Sequence, residues 1–116
     1  MTDPQLPILD LAPLEDAFGA IDDDALEALR RFITTTRPLL DRIAEALVKG
    51  ELRVASEAAH SAKGAANVTG AARLGALCAA IEKAAREGDA GSAGKLAAKL
   101  PQCFAEVEAA ISKLLS

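Results

Sequence analysis

Residues 22–50, DDDALEALRRFITTTRPLLDRIAEALVKG, decide the fold. Asp22, Asp23 and Asp24 supply an N-cap and an acidic first turn, where carboxylates meet the unpaired N–H groups and the positive end of a helix. From there Leu26, Leu29, Ile33, Thr36, Leu40, Ile43 and Leu47 recur at alternating spacings of three and four, which predicts one long amphipathic helix closed by Lys49-Gly50. Pro38 falls inside it and costs about 3 kcal/mol in a regular helix interior, so a kink or break is expected between Thr34 and Pro38.

The same rhythm continues downstream. A helix from about Glu51 to Val68 carries Leu52, Ala55, Ala59, Ala62 and Ala66 along one edge, and these small side chains call for close packing against neighbours. Gly70 separates it from a helix with Leu74, Leu77, Ile81 and Ala84 inside and Gly88 at its end. A last helix is expected from Asp89–Ser92 to the C-terminus through Leu96, Leu100, Cys103, Val107, Ala110 and Leu114, bent at Pro101. Upstream, Pro4, Pro7 and Pro13 surround Ile8-Leu9-Asp10-Leu11, an extended lead over residues 1–12 into a short helix, Leu14 to Phe18. The expectation is an all-α protein: one domain over 13–116, an antiparallel four-helix bundle with a short N-terminal helix across one end.

Composition narrows the function. With 116 residues the chain holds one ordinary domain, and its 51% hydrophobic content, poor in aromatics, favours helix over sheet. The net charge of -4 comes from interspersed acids and bases, with no basic stripe to follow a nucleic-acid backbone. No apolar run reaches the roughly 18 residues that membrane spanning needs, and the first residues lack the basic and apolar parts of a secretory signal. A cytoplasmic protein is expected. The two cysteines, Cys78 and Cys103, read as small core residues, and three Cys and His side chains in all are too few for a four-ligand structural zinc site.

His60 is the chain's single histidine. A side chain with an ordinary pKa of about 6.5 is mostly neutral, and so nucleophilic, at cellular pH. At about 100 degrees per residue it lies off the buried alanine edge. Arg53, Ser56, Lys63, Gly64 and Asn67 stand three, four or seven positions from it and form a solvent-facing strip. Lys63 is a compact cation suited to a phosphoryl group. Gly64 costs about 1 kcal/mol relative to alanine inside a helix, which implies that a partner approaches His60 closely. The alternative is a surface histidine on an ordinary charged helix.

Two motifs mislead. Residues 88–95, GDAGSAGK, resemble a phosphate-binding loop but have one residue too many between the glycines, Leu96 in place of the magnesium-binding hydroxyl, and no preceding strand. Asn67-Val68-Thr69 matches a glycosylation acceptor in a chain without a secretory signal.

The stretch AHSAKGAANVTGAARL, residues 59–74, resembles the signature of histidine-containing phosphotransfer (HPt) domains, as do Leu77-Cys78, Ile81-Glu82, Arg86-Glu87-Gly88-Asp89, Asp10-Leu11 and Gly50-Glu51. The resemblance implies a relay between receiver-domain aspartates in two-component signalling. His60 would be the phosphoacceptor, Lys63 would neutralise phosphoryl charge, Gly64 would admit the receiver, and Gly70 would permit the tight end of the site helix. Arg86 matches a basic position near the phosphohistidine of relatives, and Glu82 a polar position that orients the ring. Ala62 departs from the larger apolar residue, commonly leucine, of the family.

The implied partners are the receiver domain of a hybrid histidine kinase, a response regulator, or both, with no nucleic acid, no membrane, and a monomeric chain. No cofactor is expected on this chain, and Mg²⁺ is expected on the receiver. No ATP-binding or autokinase activity is expected. A helical adaptor that binds a receiver or kinase without transfer is the first alternative. A hydrolase using His60 as base is the second, and no Ser or Cys nucleophile or oxyanion pocket is evident to support it.

Overall fold

The computed structural model describes residues 5–116, which form six helices: α1 Ala12–Phe18, α2 Asp23–Val48, α3 Leu52–Thr69, α4 Ala72–Arg86, α5 Ala90–Ala97 and α6 Leu100–Leu115. The long helices form a closed antiparallel bundle in which α3 packs between α2 and α4, and α6 closes the ring against α2 and α4. The short α1 rests on α2 and α3. At 26 residues α2 spans nearly the whole 42 Å long axis of the molecule, as expected from a rise of about 1.5 Å per residue.

Asp22 caps α2 by accepting a hydrogen bond from the Ala25 N–H at 3.0 Å. The helix then runs without a break through Pro38. The proline is exposed, and so is Thr34, whose carbonyl loses its helical donor there and has water available instead. The inner stripe of α2 is Ala25, Leu29, Phe32, Thr36, Leu40, Ile43 and Ala46, while Leu26, Ile33 and Leu47 sit at its margin, partly buried.

The expected single C-terminal helix is two. Pro101 has no N–H to offer the carbonyl of Ala97, so α5 stops there and α6 restarts at Leu100, with the Cys103 N–H donating to Lys99 at 3.1 Å. Pro101 then occupies the first turn, where an N–H would have no helical partner. Residues 88–95 form the α4–α5 turn and the start of α5, with the Asp89 carboxylate accepting from the Ser92 N–H and hydroxyl at 3.0 and 2.7 Å. They serve as a helix cap.

The core is built from Leu29, Ile43, Leu74, Leu77, Ile81, Val107 and Ile111, with Ala55, Ala59, Ala62 and Ala66 of α3 fully buried between α2 and α4. Phe32 and Phe104 pack tilted with centroids 6.2 Å apart, and Arg37 lies over the Phe104 ring while pairing with Glu108. Cys78 and Cys103 are buried free thiols, and burial pushes Cys78 up to about 12, so it is inert as a nucleophile.

The segment before α1 is tied to the α3–α4 turn. The Asp10 N–H donates to the Gly70 carbonyl at 2.7 Å, and Arg73 donates to the Pro7 carbonyl from its backbone N–H and to the Leu6 carbonyl from Nε, both at 3.1 Å. Gly70 has φ +98°, and a Cβ there would lie 1.8 Å from the Asp10 carbonyl oxygen. Residues 1–4 of the expected extended lead lie outside the described residues.

Candidate functional site

The alanine edge of α3 lets α4 approach closely, and this brings Glu82 opposite the middle of α3. Glu82 continues the inward stripe of Cys78 and Ile81, and its side chain is only 5% exposed. A buried carboxylate needs partners. Glu82 has three. Its Oε2 lies 3.0 Å from His60 Nδ1 and 2.8 Å from an Arg86 guanidinium nitrogen, and its Oε1 accepts from Lys63 Nζ at 2.8 Å. Burial pushes the Glu82 carboxyl upward, but hydrogen bonds from Lys63 and His60, with the charges of Lys63 and Arg86, outweigh it and hold the group below its ordinary 4.5. Glu82 is therefore an anion at neutral pH.

That anion sets the chemistry of His60. A carboxylate can only accept, so Nδ1 carries the proton, and in the neutral ring Nε2 is the nitrogen that keeps its lone pair. The imidazole is 62% exposed. With Nδ1 engaged by Glu82, Nε2 is the ring nitrogen left for a partner.

The structure rearranges the strip expected from sequence. Lys63 turns inward to Glu82 and is 30% exposed. Ser56 is only 7% exposed and lies between α3 and α4, because its position also lies on the side of α3 that α4 covers. Asn67 leans onto α4, its Oδ1 lying 2.2 Å from where a Cβ on Gly75 would be, and it does not join the imidazole. Gly64 is exposed, and a Cβ added there would meet nothing within 4 Å. Nothing among the described residues requires that glycine. Arg86, 66% exposed, pairs with Glu82 four residues before it on α4.

The strip reading, confined to α3, missed the convergence of Lys63 and Arg86 on Glu82. The available signal was a carboxylate in an otherwise apolar stripe, next to Ile81 and four positions from Cys78, since such a residue stays charged only if cations reach it.

The fold and the site define an all-helical bundle that presents one largely exposed imidazole held by a buried carboxylate. A family model of the Hpt domain matches residues 27–110, and the chain belongs to that family. Among solved structures it is similar to the crystal structure of histidine-containing phosphotransfer protein B from Pseudomonas aeruginosa PAO1, with 28% identity and a TM-score of 0.83 over 92% of this chain and 93% of that one. No curated protein matches the chain. No helix among the described residues is long and apolar enough to cross a membrane.

Proposed function

We propose that the chain relays phosphoryl groups between receiver-domain aspartates through His60. The observation that carries this reading is a 62% exposed imidazole bonded through Nδ1 to buried Glu82, which leaves Nε2 as the nitrogen free to react. In the acceptor step the Nε2 lone pair forms the N–P bond as the P–O bond of the aspartyl phosphate breaks, and its electron pair leaves on the aspartate carboxylate. No proton has to move. The ring gains a positive charge that the Glu82 anion faces across the Nδ1–H, and donation to a second aspartate is the reverse step.

Such a transfer depends on alignment and charge stabilisation, so one nucleophile and nearby cations suffice on this side. Lys63 supplies charge to the phosphoryl oxygens, Gly64 admits the partner, and Mg²⁺ belongs to the receiver. The chain takes no phosphoryl group from ATP. The test is transfer from a receiver domain labelled on its aspartate, with Mg²⁺ present, to wild type and to His60→Gln. Acid-labile, alkali-stable label on wild type alone supports the relay, and no label on folded wild type from several receivers moves the chain to the adaptor reading.

A further inference from the structure

Lys63 rests on Glu82 in the unloaded chain, and a phosphoryl group on His60 would compete with that carboxylate for it, which gives Arg86 a function. Resting on the relay reading above, we infer that Arg86 is a positioning residue: it holds Glu82 as an ion pair so that Lys63 is free to leave for the phosphoryl group when His60 is loaded.

In the unloaded chain one buried carboxylate is shared by His60 Nδ1, Lys63 Nζ and Arg86 at 3.0, 2.8 and 2.8 Å. A phosphoryl group on Nε2 brings about two negative charges to the far side of the same imidazole. Lys63, one helical turn from His60, is the compact cation that both anions can draw. If it leaves Glu82 with Arg86 absent, a carboxylate that is 5% exposed goes from two full cations to none and keeps only the charge spread over the phosphorylated ring, which is costly. Arg86 removes that penalty. It stands four residues after Glu82, the favourable order for a pair on one helix, and already occupies Oε2, leaving Oε1 to Lys63 alone. The two cations thus hold different oxygens, and Lys63 departs without disturbing the bond that fixes the ring.

The inference separates from direct contact between Arg86 and the phosphoryl group by a double-mutant cycle. Forward and reverse transfer rates would be measured between a receiver domain, loaded with acetyl phosphate and Mg²⁺, and four chains: wild type, Arg86→Gln, Glu82→Gln and the double variant, with circular dichroism confirming that each is folded. Arg86→Lys serves as the conservative control. With Glu82 present, Arg86→Gln lowers the ratio of forward to reverse rates at least about threefold, and Arg86→Lys restores it. With Gln at position 82 the same change leaves the ratio unaltered, because a neutral amide needs no replacement cation. An equal drop in both backgrounds, or no drop with Glu82 present, overturns the inference. A folded wild-type chain that accepts no phosphoryl group from any receiver overturns the relay reading instead.

Discussion

Replacing Gly64 with alanine should strengthen the fold and weaken the function. Gly64 lies inside α3, where the change from glycine to alanine is worth about 1 kcal/mol of helix stability. The added Cβ meets nothing within 4 Å among the described residues, so no clash offsets that gain. For a domain of this size the midpoint of thermal unfolding should rise by about 4 °C. His60 and Gly64 are four residues apart on one exposed face, so the methyl group stands in the path of any partner that closes over the imidazole. Overpacking at such a contact costs about 1.5 kcal/mol, which is roughly a tenfold loss in transfer rate. Circular dichroism melts and a phosphotransfer time course read the two effects on one sample. Unchanged transfer by a more stable variant would show that the glycine does not admit the partner, and a lower midpoint would show that the folded chain itself needs it.

Thr36 is fully buried and its hydroxyl has no hydrogen-bond partner among the described residues, so Thr36→Val should raise unfolding stability by about 1 kcal/mol in urea titrations. Gly70→Ala should lose at least about 2 kcal/mol in the same assay, because the left-handed backbone is strained by a side chain and the Asp10 carbonyl occupies the Cβ position. Glu82 titrates below its ordinary 4.5 in the folded chain, so its stabilising contribution is complete above that pH and is lost as pH falls through the lowered folded value. Unfolding free energy should therefore fall more steeply below pH 4.5 for wild type than for Glu82→Gln.

The helical class was legible because four apolar stripes keep a spacing of three and four, and the alanines of α3 announced its close neighbours. The division of the last helix was less legible. Pro101 is compatible with a bend or with a new first turn, and Pro38, equally exposed, leaves α2 unbroken, so the proline alone does not decide between them. At the site, His60, Lys63 and Gly64 could be placed on one helix by counting residues. Counting could not show that Lys63 turns inward, that Ser56 is covered, or that Asn67 crosses to Gly75, because each depends on α4. Glu82 is the residue at which the two helices meet chemically, and periodicity alone places a stripe position without saying what stands across from it.

Because His60 is the only histidine, a chain with ¹⁵N-labelled imidazole gives a single pair of ring signals. The most direct measurement is their correlation with phosphorus after transfer from a receiver domain. The account predicts phosphorus bonded to Nε2 while Nδ1 keeps its proton, with that proton's signal shifted in Glu82→Gln. Phosphorus on Nδ1, or a loaded protein whose imidazole carries none, would contradict it.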